Sequence, residues 1–359
     1  MNANTTFAEI QKLLQGRKAG EALNKCEEVL ALHPRNTVFR ALQVFCFLAL
    51  GRKAEAHYAY AQAEAGDPLF SHCYEYRDSR IRSGDLSLAS RLRDQLHQYL
   101  RLRNHRNILV SFPKSGRTWL RVLLGEYLLG GEEGNPLEIA SLSRQKMGPE
   151  GVAEAPDHDN TPQLKPPWVI EGDKRAYLNN RVVFLVRDPR DVVVSVYFQF
   201  SKRGDSTRRN ATANRSIDEF VWGDIGCLPS IVRFYNQWAR HRSLPEDFYL
   251  LRYEDFHDDP GQAFSDLLSF LGWPQPDSEE KARILRASSF ESMRDAEKSQ
   301  RYEGVALAPG QPEDPESYKT RRGKAGGYVD YLQPSTIADM NRYLADFLDP
   351  YFTSYLPRR

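Results

Sequence analysis

Residues 107–119 read Asn107-Ile108-Leu109-Val110-Ser111-Phe112-Pro113-Lys114-Ser115-Gly116-Arg117-Thr118-Trp119. The first six form a short apolar run containing β-branched residues, which predicts a buried strand. A glycine-containing turn follows, and then an amphipathic helix over Thr118–Leu129. A strand-to-helix junction offers unpaired backbone N–H groups and the positive end of a helix dipole, a natural seat for an anion. Gly116 lets the backbone approach such an anion closely. Lys114 adds a point charge, and Ser115 and Thr118 add hydroxyl donors. No acid lies between Asp94 and Glu126, while Arg101, Arg103, Arg106, Lys114, Arg117 and Arg121 all do. This predicts a locally positive surface. The loop is not the G-x-x-x-x-G-K-[ST] nucleotide loop, because Lys114 precedes Gly116. An ordinary nucleotide kinase therefore fits poorly.

The same plan recurs outward from this stretch. Val182–Val186 is a continuous apolar run, Arg187-Asp188-Pro189-Arg190 a turn, and Asp191 a cap for a helix running through Phe200. Phe248–Tyr253 reads as a third strand, with helices expected at Gln262–Leu271, Glu279–Arg286 and Pro334–Leu348. Strands that are apolar throughout, alternating with helices, predict a three-layer α/β/α domain around a central parallel sheet. Val305–Ser317, with three prolines and Gly310, predicts a mobile loop or lid.

Residues 1–100 have a different character. Gly16-Arg17-Lys18-Ala19 recurs 35 positions later as Gly51-Arg52-Lys53-Ala54, and Pro34 and Pro68 follow the second helix of each unit. Helix pairs are expected at Phe7–Gln15 with Ala19–Leu32, at Val38–Leu50 with Ala54–Ala65, and in a degenerate third unit from Leu69 to Tyr99. The period resembles that of tetratricopeptide repeats. The whole chain has 359 residues, 41% of them hydrophobic and 27% charged. That excludes disordered, collagen-like and coiled-coil chains and suits two domains, 1–100 and 101–359. A net charge of +1 means that any basic site is local rather than a global nucleic-acid or membrane field. Cys26, Cys46, Cys73 and Cys227 lack metal-ligand spacing and read as buried thiols of a reducing compartment. With no signal peptide and no long apolar run, the expected location is cytoplasmic, without a transmembrane segment.

Four segments, in order, resemble the cytosolic-type sulfotransferases. Pro113-Lys114-Ser115-Gly116-Arg117-Thr118-Trp119 resembles their 5′-phosphosulfate loop, with Arg117 where Thr is commoner. Arg187, followed eight residues on by Ser195, resembles the 3′-phosphate motif. Ser288-Ser289-Phe290-Glu291-Ser292-Met293 and Tyr253 resemble the segments beside the adenine. Arg321-Arg322-Gly323-Lys324-Ala325-Gly326-Gly327-Tyr328 resembles the late motif that returns to the 3′-phosphate. The resemblance implies a P-loop-like fold, 3′-phosphoadenosine-5′-phosphosulfate (PAPS) as donor, PAP as product and no required metal. It makes Lys114, Ser115, Gly116, Arg117, Thr118, Trp119, Arg187, Ser195, Tyr253, Ser288, Phe290, Arg321, Arg322 and Gly323 donor-binding residues.

Catalytic roles fall on Lys114, Ser195 and a general base. His158 is the sole histidine between Lys114 and Arg187, in Asp157-His158-Asp159, where a neighbouring carboxylate could orient it. The K-T-H of the resembled family is replaced by Pro156-Asp157-His158, and Asp173 and Lys174 stand as alternatives. The acceptor is open: saccharide, lipid, peptide or small molecule. The basic segment Ser201–Arg215 suits an acidic one. The N-terminal helices could bind a protein or carrier partner, and no nucleic acid is expected. The rival readings are a nucleotide-dependent kinase and a helical-repeat scaffold without catalysis.

Overall fold

The computed structural model describes residues 3–67, 70, 96, 99–141, 143–155, 159, 161–170, 172–204, 206–302, 307 and 313–357. The chain divides into two compact units, Met1–Asn104 and His105–Arg359.

In the first unit, α1 (Ala3–Gln15) pairs with α2 (Ala19–Leu32), and α3 (Thr37–Ala49) pairs with α4 (Lys53–Gly66). The repeated Gly-Arg-Lys makes both turns. Arg17 and Gly51 each take a positive φ, 59° and 72°, which lets the chain reverse in a few residues. Asn36 caps α3, its Oδ1 accepting from the Val38 and Phe39 amides. Small residues (Ala22, Cys26, Ala56, Ala59 and Ala63) fill the core and let the helices pack closely. Most of the third predicted helix pair lies outside the described residues. Phe70 and Tyr99 are described, and their rings meet edge to face within this core.

Among the described residues, the second unit is built on four parallel strands in the order β2-β1-β3-β4: β1 (Asn107–Ser111), β2 (Val152–Glu154), β3 (Arg181–Val186) and β4 (Asp247–Arg252). β1 is buried along its whole length and β3 is buried beyond Arg181. The apolar runs thus mark strands covered on both faces. On one face, Leu109, Val183, Leu185 and Leu251 meet α5 (Arg117–Leu129). On the other, Phe184 stacks on Trp238 and touches Phe234 and Tyr235. These three rings project from one amphipathic helix, Leu228–His241. β2 was not anticipated: three residues are too short to show a period.

One element differs from expectation. The helix after β3, α6, spans Pro189–Arg203 and is capped by Asp188, whose side chain accepts from the Arg190 amide. Proline suits the first helical position, so the start falls earlier and Asp191 is not the cap. Most of the loop expected over Val305–Ser317 lies outside the described residues, and its end, Pro315–Ser317, forms a 3₁₀ turn. It is held by an Arg203 hydrogen bond to the Ser317 carbonyl and by a Lys202–Asp314 ion pair. Cys26, Cys46 and Cys227 are free and buried. Among the described residues no helix is long and apolar enough to cross a membrane.

Phe184 is fully buried between sheet and helix. Phe184→Ala should destabilise this unit by roughly 3–5 kcal/mol, read as a lowered denaturation midpoint. A loss below about 1 kcal/mol would show that the helical layer is not packed on the sheet as described.

Candidate active site

The chain passes from β1 to β2 on one side and then to β3 on the other side of β1. Such a reversal opens a crevice at the carboxyl ends of β1 and β3, the usual ligand position in open α/β sheets. The predicted phosphate loop leaves β1 there, and Arg187 follows β3. Lys114 and Gly116 hold φ of 75° and 105°. A Cβ on Gly116 would lie 2.7 Å from the Tyr253 ring, so this position requires glycine for both reasons. The Ser115 side chain is fully buried, and its amide bonds the Phe112 carbonyl at 3.3 Å. It sits beneath the loop and does not line the cavity, unlike the other predicted donor residues. Trp119 donates from Nε1 to the Ser288 carbonyl at 2.8 Å. Its ring meets Phe256 edge to face at 4.4 Å.

Arg187 is fixed from several directions. The Tyr235 hydroxyl donates to its carbonyl at 2.9 Å and accepts from its amide at 3.0 Å. The guanidinium lies 4.5 Å over the Tyr253 ring and donates to the Lys324 carbonyl at 3.0 Å and to Asp191 at 3.4 Å. Asp191 also accepts from the Gly326 and Tyr328 amides at 2.8 and 2.9 Å. Burial pushes its carboxyl pKa up, against the pull of Arg187. Glu297, fully buried, does the same for the start of that segment. It accepts from the Lys319 amide at 2.7 Å, and from the Thr320 amide and hydroxyl at 2.8 and 2.6 Å. At Gly323 a Cβ would strike the Phe290 ring at 2.2 Å. Arg321 is packed between the Phe198 and Tyr331 rings and pairs with Glu316, while the more exposed Arg322 pairs with Asp330.

These segments enclose a cavity of about 1020 Å³. Nine lysines and arginines line it against three carboxylates among the described residues. Lys114 bonds Gln199 at 3.3 Å. Its pKa is lowered to about 7, first by burial and then by Lys319, Arg203 and Arg321. Burial and Arg203 lower Lys319 to about 8. The predicted acid-free surface is a different matter. Arg117 and Arg121 both pair with Glu154 at the end of β2, at 3.6 and 3.2 Å. Arg106 pairs with Glu150 and Glu246, and Arg103 with Asp67. The carboxylates are supplied from distant sequence, so the positive charge concentrates at the cavity rather than along the stretch.

Ser195, Thr118, Tyr253 and Ser288 line the cavity. His158, with Pro156 and Asp157, lies outside the described residues. Asp159 is described: it accepts from Lys174 at 2.6 Å, Trp238 at 2.9 Å and Tyr177 at 2.9 Å. Lys174 is thereby buried in this cluster, and Asp173 is clamped by Arg175. Neither lines the cavity. The basic segment 201–215 is largely paired: Lys202 with Asp314, Arg203 with Glu297 and Arg215 with Asp224. Arg208 reaches the cavity. Sequence reasoning missed Asp191 as a tether, Glu297, Glu154, Tyr235 and Lys319. Only Lys319 carried a local signal, two residues before the late basic motif.

Lys114 supplies a pH test. A bound polyanion favours the charged lysine, so its pKa is higher in the complex than in the free protein. PAP affinity should be full below about pH 7 and fall by up to about tenfold per pH unit above it. Calorimetry in buffers of different ionisation enthalpy should show proton uptake at pH 8. Affinity that stays flat from pH 6.5 to 8.5 would contradict the lowered pKa.

Residues 173–349 match the Sulfotransferase domain family, a stretch that includes Arg187, Ser195, Tyr253 and the late basic loop but not residues 111–119. Flavonol 3-sulfotransferase of Flaveria bidentis is 26% identical over 271 residues, covering 67% of this chain and 80% of that protein. 3-alpha-hydroxysteroid sulfotransferase of Cavia porcellus is 26% identical over 228 residues, covering 58% and 72%. The crystal structure of mouse sulfotransferase SULT7A1 complexed with PAP is 21% identical, with a TM-score of 0.46, over 68% of this chain and 84% of that one. The match over residues 173–349 and the sulfotransferase relatives together support PAPS-dependent sulfuryl transfer by this chain.

Proposed function

We propose that the chain transfers the sulfuryl group of PAPS to an acceptor hydroxyl or amine, with His158 taking the acceptor's proton and PAP leaving. One observation carries this reading. Residues from four separated segments, 113–119, 187–195, 253–290 and 319–324, line a single cavity. In that arrangement the phosphate loop with Lys114 would hold the 5′-phosphosulfate. Arg187, Ser195, Arg321 and Arg322 would hold the 3′-phosphate, and Trp119, Tyr253, Ser288 and Phe290 the adenine side.

The acceptor oxygen or nitrogen forms a bond to sulfur as the bridging S–O bond breaks. The electron pair of that bond goes to the phosphate oxygen of PAP, where Lys114 offsets the growing charge. The proton leaves the acceptor for His158. A sulfuryl group carries less charge than a phosphoryl group, so fixed cationic side chains can do the electrostatic work. Arg187 suits the 3′-phosphate because its planar fork makes paired, charge-assisted bonds. Helices α1–α4 and their repeated Gly-Arg-Lys turns support a tetratricopeptide-like unit that presents a protein or carrier-bound acceptor. We place the enzyme in the cytoplasm.

Labelled sulfate should pass from PAPS to at least one member of a panel of phenols, saccharides and peptides. PAP should raise the melting temperature where Mg-ATP does not. PAP protection with no labelled product on any acceptor would favour a non-catalytic scaffold. His158→Ala should lower turnover by at least about 100-fold with PAP affinity nearly unchanged, and full turnover would remove His158 from the mechanism. Arg187→Ala should weaken PAP by about tenfold or more but AMP little. Equal losses would deny it the 3′-phosphate.

A further inference from the structure

Four cations that line this cavity are not among the residues assigned to the donor: Arg121, Arg208, Lys319 and Lys324. From the loop after β1, the proposed donor residues extend toward β3 and β4, to Arg187 and Tyr253. On the opposite, β2 side lies a second cationic group. Arg117 and Arg121, both on α5, share one carboxylate, Glu154.

Lys319 belongs to this side. It lines the cavity, where Arg203, Arg121 and Arg117 act against its charge and Glu297 acts in its favour. Among the described residues no carboxylate lies within ion-pair distance of its ammonium. Glu297 does not fill that place: it is engaged by the Lys319 and Thr320 amides and the Thr320 hydroxyl. Those bonds also fix the backbone from which the lysine projects. A lysine normally carries its ammonium out to water along a flexible stem. This one is held at the cavity, beside Lys114 and in a cationic neighbourhood, an arrangement that is unfavourable unless an anion arrives.

We propose that the acceptor is itself anionic, with a carboxylate or sulfate near the group that receives the sulfuryl, bound by Lys319 with Arg117 and Arg121. The proposal rests on the sulfotransferase reading and narrows its acceptor class. It also explains why the cavity holds more cations than the donor needs. A negative acceptor must approach a negative donor, and the surplus charge offsets their repulsion. The cavity stands at the upper end of the ~300–1,000 Å³ range for small-molecule pockets, which leaves room for donor and acceptor together.

The test uses matched acceptors on the full chain: phenol against 4-hydroxybenzoate, and an unsulfated disaccharide against its O-sulfated form. Binding to the enzyme–PAP complex is measured by calorimetry, and transfer from labelled PAPS gives kcat/KM. The anionic member of each pair should bind at least about tenfold tighter, with the preference carried by KM and reduced by added salt. Lys319→Gln should bring the anionic-to-neutral ratio toward one, and Lys319→Arg should keep it. A neutral acceptor that binds as well as its anionic partner would overturn the proposal. So would a Lys319→Gln enzyme that loses both acceptors equally, or that loses PAP instead, since Lys319 would then serve the donor. Failure of PAP to bind the unaltered enzyme would strike the sulfotransferase reading itself and is thereby distinguishable.

Discussion

The site depends on two buried carboxylates, Asp191 and Glu297, that hold a cationic segment against a cationic cavity. Residues 319–328 bring Lys319, Arg321, Arg322 and Lys324 toward Lys114 and Arg187. Like charges about 6 Å apart repel by roughly 3 kcal/mol at an effective dielectric of 20, so the segment would not settle there unaided. Glu297 takes the amides of Lys319 and Thr320, and Asp191 takes those of Gly326 and Tyr328. The carboxylates bond the backbone and leave most of the basic side chains to face the cavity. Arg187 and Arg203 are the exceptions, since they also pair with Asp191 and Glu297. The same carboxylate therefore holds the segment and orients the guanidinium assigned to the 3′-phosphate.

The strand-turn-helix stretches were legible because each is a local pattern. β1 and β3 are apolar along nearly their whole length, and α5 begins one residue before the position expected from Thr118. The sequence order of the binding segments also mapped onto one cavity, because strand ends in a parallel sheet gather on one side. Tertiary pairing was not legible. Arg117, Arg121 and Arg106 sit in an acid-free stretch, yet their carboxylates come from Glu154, Glu150 and Glu246. Asp191 has the spacing of a helix cap, and only the fold shows that Asp188 caps the helix and Asp191 points to residues 326–328. The three residues of β2 are too few for any period to mark them.

In the proposed reading, donor and acceptor demands divide along the sheet. β3 and β4 supply Arg187 and Tyr253, β1 supplies the phosphate loop, and β2 supplies Glu154. The order β2-β1-β3-β4 puts the loop between the other two groups, as transfer between two bound molecules requires. The net charge of +1 conceals this arrangement, because carboxylates that balance the total lie mainly outside the cavity.

β2 is an edge strand, bordered on one side only. Its attachment to the sheet rests on three paired positions with β1 and on the Ala155 amide bonding the Leu109 carbonyl. The bonds from Arg117 and Arg121 to Glu154 act as a second fastening, from helix to strand end. One carboxylate thus ties the edge strand to the helix that follows the phosphate loop, so a change at Glu154 is felt in both elements at once.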